Sequence, residues 1–277
     1  MSRPVTSLEA ILRRDRAVVL AGLAAVVVLA WGYLLAGAGT GMSALDTTAW
    51  PDSSGIGATM AAMADRAMVP APWTLGYALL MLLMWWIMMA AMMLPGAAPM
   101  ILLFATVNRK QAERGAPFVP AGAFALGYVL AWGGFGVLAA GAQWGLERTG
   151  LLSTAMAGTS TAFGGVALVA AGLWQLTPLK RACLRHCRSP LHFLSHNWRK
   201  GRVGALSMGL EHGAYCLGCC WVLMGLLFYG GVMNLYWIAG LAAYVLVEKT
   251  LPAGHRIGIA AGAGLIVWGI VLLARAV

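Results

Sequence analysis

Seven long apolar segments constrain the fold of this 277-residue chain more than any other feature of its sequence. Each approaches or exceeds about 20 residues, the length that a helix needs to cross the hydrocarbon core of a bilayer. The segments cover 17–38, 73–107, 118–142, 155–177, 203–230, 234–250 and 257–275. Only 10% of the residues are charged, against about 25% in a soluble domain. We therefore predict an all-α, polytopic transmembrane helix bundle of about seven spans.

The apolar segments divide the chain into a short arm and one bundle. We expect residues 1–16 to form an N-terminal arm and residues 17–277 to form a single transmembrane domain. Two of the connections between apolar segments are long, the loop 39–72 and the basic loop 178–202. The stretch 56–68 is amphipathic and is expected to lie on the membrane surface or to cover the bundle.

The positions of the basic residues predict the orientation. Lys and Arg are enriched in cytoplasmic loops. With a cytoplasmic N-terminus, only Arg66, Arg148 and Arg275 of the 19 basic residues fall outside. This pattern places the chain in a bacterial inner membrane, with the loop 39–72 outside and the loop 178–202 inside. It also explains the net charge of +10 without a nucleic-acid partner, because no nucleic-acid-binding motif is present. The expected surroundings are membrane lipid, and the sequence does not indicate an oligomeric state.

Ionisable and sulfur-bearing residues gather in the fifth apolar segment. Glu211 and His212 precede Cys216, Cys219 and Cys220, and spacings of three and four residues place side chains on one helix face. Titratable groups inside a span are costly and mark candidate functional sites. Thiolate and imidazole ligands suit soft metals, so we predict a site for Cu(I) near mid-membrane, with zinc as the second choice.

Two other interpretations of these cysteines stay open. Cysteine also behaves as a small apolar residue that is buried without a task. Cys216 and Cys219 are spaced as in a redox C-x-x-C motif, although burial away from water opposes thiol exchange.

The second apolar segment carries a stripe of methionines. Its members are Met81, Met84, Met88 and Met92. Thioethers are soft ligands that can pass Cu(I) along a series of weak sites. Methionine also fills irregular gaps beside aromatic rings, and Trp85 and Trp86 lie within the stripe. The prolines Pro95 and Pro99 are expected to kink this segment or to begin a second helix.

The basic loop 178–202 contains a second group of candidate ligands. Cys183 and Cys187 are four residues apart, with histidines nearby, and Pro178 can occupy the first turn of a short helix. Such a group can coordinate a metal. The alternative is a basic segment that lies on the membrane surface. Cytoplasmic thiols are expected to stay reduced.

The sixth apolar segment has polar residues at both ends. Asn234 precedes it and is suited to cap a helix N-terminus. Glu248 and Lys249 end it, and we expect these two neighbours to form an interfacial ion pair.

In combination, three stretches resemble an uncharacterised bacterial family of predicted metal-binding integral membrane proteins. The stretches are 84–99, 175–194 and 212–249. The resemblance implies a bound metal without naming it. Carried onto this chain, the implied positions are Met88, Met92, Cys183, Cys187, His212, Cys216, Cys219 and Cys220.

Three classes of function remain. The first is a membrane protein that binds, moves or delivers a soft metal such as Cu(I), with a partner that receives it. The second is a membrane metalloenzyme in which His212 and the cysteines hold the ion and Glu211 carries protons. The third is a structural or assembly subunit of a membrane complex without a metal. Soft ligands without a hard ligand set favour metal handling.

Overall fold

The computed structural model describes residues 7–40, 48, 72–115, 117–153 and 156–276. The described residues form ten helices and no strand, so the all-α prediction is confirmed. The helices are α1 (Ser7–Leu35), α2 (Leu75–Ala112), α3 (Ala121–Arg148), α4 (Thr161–Leu176), α5 (Pro178–Arg188), α6 (Pro190–Asn197), α7 (Gly201–Gly225), α8 (Leu227–Gly230), α9 (Leu235–Thr250) and α10 (Gly254–Ala276).

Five of these helical stretches are long and apolar enough to cross a membrane. They lie in α1, α2, α3, α7 with α8, and α10. The pair α4 and α5 makes a sixth if it is one span with a bend of 64°. Helix α9 has 16 residues, fewer than the roughly 20 that span a bilayer. The count of seven spans and the cytoplasmic N-terminus stay predictions. The amphipathic stretch 56–68 and most of the loop 39–72 lie outside the described residues.

Helix α2 is one continuous helix of 38 residues, with Pro95 and Pro99 in its interior. The expected second helix does not begin at these prolines. At 1.5 Å per residue α2 is about 57 Å long, which exceeds the roughly 30 Å of a hydrocarbon core. Most of its residues between Met81 and Met93 are buried, including the whole methionine stripe.

Helices α3 and α7 pack closely because glycines face the opposite backbone. A Cβ at Gly127 would overlap the carbonyl oxygen of Leu206, and one at Gly209 would overlap that of Phe124. Small residues at such positions let helix backbones approach in a membrane bundle. Helices α4 and α10 make a similar contact, in which a Cβ at Gly262 would lie 2.8 Å from Cβ of Gln175.

The segment 178–202, predicted as a basic connection between spans with a short helix from Pro178, is mainly two helices that pack against α7. Helix α5 begins as predicted, with Pro178 in its first turn and the Thr177 hydroxyl accepting from the amide of Lys180. The ring of His186 stacks on Tyr215 of α7 at 4.3 Å between centroids. Phe193 of α6 packs edge-on against His212. These contacts hold α5 and α6 against the face of α7 that carries the cysteines.

The predicted cap of α9 is confirmed, since the Asn234 side chain accepts from the amide of Tyr236.

Candidate metal site

Thiols from two helices meet at the centre of the candidate site. Cys187 of α5 interacts with Cys216 and Cys219 of α7, and Cys216 also interacts with Cys220. The three α7 cysteines are buried, whereas Cys187 is half-buried. We call these four residues the thiol cluster. The sequence placed Cys187 in a separate group, and the fold of α5 brings it to α7.

Cys216 is the member of the thiol cluster with the most polar contacts. Its Sγ lies 3.0 Å from the hydroxyl of Tyr128 on α3. It also accepts from Nζ of Lys249 on α9, at 2.8 Å. The Tyr128 hydroxyl lies 3.1 Å from the carbonyl oxygen of Met93 on α2. Side chains from α3 and α9 therefore contact this sulfur atom, and Cys187 of α5 also interacts with it.

Cys219 and Cys220 direct their thiols at one backbone oxygen. Each Sγ donates to the carbonyl of Cys216, at 3.0 Å and 3.1 Å. Spacings of three and four residues make this shared acceptor available within one helix turn. A metal bound by either sulfur as a thiolate replaces the S–H proton, so this hydrogen bond is then lost.

The turn of α2 that follows the methionine stripe lies beside Lys249. A Cβ at Gly96 would lie 3.5 Å from Cδ of Lys249, so this turn of α2 faces the lysine that contacts Cys216. Met92 is one turn earlier on the same helix face, and Met88 is one turn before that. Both methionines are buried. At the far end of the stripe, Sδ of Met81 accepts from the amide of Gln143 at 3.4 Å.

Cys183 lies beside the thiol cluster rather than within it. Its Sγ faces Gly218 of α7, where an added Cβ would approach it to 2.8 Å. Its half-buried position is one helix turn from Cys187. Gly218 is thus the residue that allows α5 to lie close to the cysteine-bearing turns of α7.

His212 is buried among aromatic rings. It packs against Phe124, Tyr128 and Phe193, with ring centroids 5.5–6.1 Å apart. Its Nδ1 atom is buried without a hydrogen-bond partner. The predicted ligand therefore lies one helix turn from Cys216 with a free ring nitrogen.

Glu211 lies away from the thiol cluster. Its carboxylate accepts from Nη2 of Arg199 at 3.0 Å, and both side chains are partly exposed. The contact leaves the carboxylate on the outer side of α7, because residues 211 and 212 point in directions about 100° apart on a helix.

The expected ion pair between Glu248 and Lys249 is wrong. Glu248 pairs with Lys180 of α5 at 2.5 Å, and both side chains are 2% exposed. Lys249 instead reaches Cys216. Neighbouring residues of a helix face different sides, so Glu248 and Lys249 contact different partners.

The lysine that contacts Cys216 comes from the end of a short helix. Lys249 is in the last turn of α9, directly before the turn that leads into α10. Helices α4 and α5 meet at the same end, as the pairing of Lys180 with Glu248 shows. The location of Cys216 near mid-membrane stays a prediction.

Across the described residues, no group of three or more His, Cys, Asp or Glu side chains is arranged to hold a metal ion. The thiol cluster is close-packed, but two of its thiols point at a carbonyl rather than at a common centre. It therefore differs from a preformed tetrahedral zinc site, which needs four converging ligands. Two thiol sulfur atoms, from Cys187 and Cys216, suit a soft monovalent ion better.

Sequence reasoning missed two residues of this site, Tyr128 and Lys249. Tyr128 is a fully buried phenol, and a buried hydroxyl normally has a hydrogen-bond partner. That rule identifies Tyr128 as a residue with a partner, but only the packing of α3 on α7 identifies the partner as Cys216.

Comparison with known families agrees with the soft ligands. The family model described as PpoB2, copper chaperone, matches residues 82–272, which is more than half of the chain. The match includes the thiol cluster and every member of the methionine stripe except Met81. Searches of curated proteins and of solved structures return no match. The extent of the family match shows that this chain belongs to the PpoB2 family of copper chaperones.

Proposed function

We propose that this copper chaperone is an integral membrane protein that binds Cu(I) at the thiol cluster and delivers it to a partner protein. The observation that carries the proposal is the meeting of Cys187 with Cys216 inside an apolar bundle. Cys216 and Cys187 serve as the first two ligands. In this proposal Cys219 and Cys220 stay protonated and keep their hydrogen bonds to the Cys216 carbonyl.

The chemistry of the ligands supports Cu(I) as the cargo. Thiolate and thioether sulfur select Cu(I) among the first-row metals. The Lys249 ammonium supplies a positive charge at 2.8 Å from Cys216 Sγ, and charge-assisted hydrogen bonds of this kind stabilise an anionic acceptor. The thiol cluster thus offers an anionic sulfur ligand in surroundings that are otherwise apolar.

The methionine stripe provides the route to the thiol cluster in this proposal. Met81 and Met92 are eleven residues apart, a rise of about 16 Å along α2. Met84 and Met88 fill the steps between them, and all four side chains are buried. Weak thioether sites one helix turn apart let an ion move without a tightly bound stop.

Delivery is favoured over catalysis by the position of Glu211. The proton carrier of the enzyme alternative would have to reach the metal, but its carboxylate is held by Arg199 on the outer side of α7.

Direct loading tests the cargo. Full-length protein purified anaerobically in detergent should bind about one Cu(I) per chain, because a single thiol cluster offers soft ligands. Copper X-ray absorption should then show sulfur neighbours. Bound copper without sulfur neighbours, or no bound copper after equilibration with Cu(I), would contradict the proposal.

We also propose a cytoplasmic N-terminus, an inner-membrane location and an inward-facing α5. A reporter fused after Lys200 should then be active only in its cytoplasmic form, and one fused within 45–60 only in its external form, because basic segments stay inside. Reversal of the two signals, or the same signal from both sites, would contradict this orientation.

A further inference from the structure

We infer that Lys249 restricts the thiol cluster to monovalent soft ions and excludes divalent ones. The inference rests on the proposed function and adds the class of ion that the site accepts. Lys249 is placed for this role because its Nζ contacts the sulfur of Cys216 directly, at 2.8 Å.

Lys249 leaves one uncompensated positive charge at the site. Its neighbour along the chain, Glu248, is paired with Lys180 in a contact where both side chains are 2% exposed. These two charges cancel, and Glu211 is paired with Arg199 elsewhere. Among the described residues, no carboxylate makes an ion pair with Lys249, so its charge is left for the cysteines to balance when they bind an ion as thiolates.

The net charge of the loaded site then depends on the ion. Suppose that Cys187 and Cys216 bind as thiolates and release their protons to solvent. Their two negative charges and the positive charge of Lys249 leave one negative charge, which a monovalent ion neutralises. A divalent ion would leave one uncompensated positive charge in buried surroundings, where an unpaired charge is costly.

The geometry of the thiol cluster also disfavours a divalent ion. A divalent d10 ion such as zinc requires about four ligands in a tetrahedral arrangement. To recruit Cys219 and Cys220 as thiolates, the ion must break both hydrogen bonds to the Cys216 carbonyl. Lys249 also occupies a position next to Cys216 that a further ligand would need.

Two isoelectronic ions separate charge from softness in the test. Ag(I) and Cd(II) have the same electron count and differ by one unit of charge. Their affinities are measured by chelator competition on full-length protein in detergent, for the wild type and for Lys249→Met. The ratio of Cd(II) to Ag(I) affinity should rise by about a hundredfold or more in Lys249→Met, since one unit of charge at a few ångströms has at least this effect at protein-like dielectric.

Matched variants show whether the charge is responsible. Lys249→Arg keeps the charge and should keep the wild-type ratio. Lys110→Met removes a lysine from the far end of α2 and should also keep it. If Lys249→Met does not fold, Lys249→Gln gives the same comparison with a polar side chain.

Two results would overturn the inference. One is an unchanged ratio in the folded neutral variants, and the other is a wild-type protein that binds Cd(II) as tightly as Ag(I). A wild-type protein that binds neither Ag(I) nor Cu(I) would instead overturn the proposed function.

Discussion

Cys216→Ser should abolish stable Cu(I) binding, with an affinity at least about a hundredfold below that of the wild type. Loss of a residue that only orients a metal ligand already costs about 10–100-fold in affinity, and Cys216 is the sulfur on which the other contacts converge. A serine hydroxyl keeps the size of the side chain but is a hard ligand that Cu(I) disfavours. The measurement is Cu(I) affinity by chelator competition under anaerobic conditions.

Cys183→Ser is the matched control for this prediction. Cys183 is on the same helix as Cys187, but its sulfur faces Gly218 rather than Cys216. The variant should keep most of the wild-type affinity. Retention of binding by Cys216→Ser, or equal losses in the two variants, would show that the thiol cluster is not the copper site.

Lys180→Met should destabilise the protein by about 3–5 kcal/mol, the usual cost of removing one partner from a buried ion pair. Glu248 is then left as a buried carboxylate without its cation, since both side chains are only 2% exposed in the pair. The same contact joins α5 to α9, so its loss should also loosen the helix that carries Cys187. Thermal unfolding in detergent measures the loss of stability. The reactivity of the buried thiols measures the loosening of the helix that carries Cys187.

The double variant Lys180→Met/Glu248→Leu tests the cause. Replacing both charges with apolar groups removes the uncompensated carboxylate, and such replacements are often neutral or stabilising. Most of the lost stability should return. As a comparison, Arg199→Met breaks an ion pair with partly exposed partners and should cost less than about 1 kcal/mol. A double variant that is less stable than Lys180→Met would argue against this account.

The length and hydropathy of the segments were enough to predict the helices but not all of their boundaries. The apolar segment 203–230 became α7 with α8, and the segment 257–275 lies within α10, because a long apolar run has few alternatives to a helix in lipid. The segment 178–202 was less predictable. Its basic residues suggest a surface loop, while its inward face, with Leu184 and Phe193, packs on α7 only once the tertiary structure exists.

The candidate site was predicted in part for a similar reason. Cys216, Cys219 and Cys220 are close in sequence, so helix periodicity alone places them together. Cys187 and Tyr128 come from other helices, and no periodicity within α7 reveals them. Lys249 was assigned to Glu248 because the two are adjacent in sequence, although adjacent helix residues diverge by about 100°. The packing of helices that are distant in sequence brings Lys249 to the sulfur of Cys216.

The prolines in α2 have a mechanical consequence for the turn that faces Lys249. Pro95 and Pro99 have no amide hydrogen, so the carbonyl groups of Ala91 and Pro95 lack the donor that a regular helix supplies four residues later. Gly96 lies between the two prolines and adds no side chain that would stiffen the backbone. This stretch of α2 resists bending less than the turns on either side of it. If an ion binds beside Cys216 and pushes on α2, the backbone around Gly96 should therefore bend first, while both ends of the helix keep their packing.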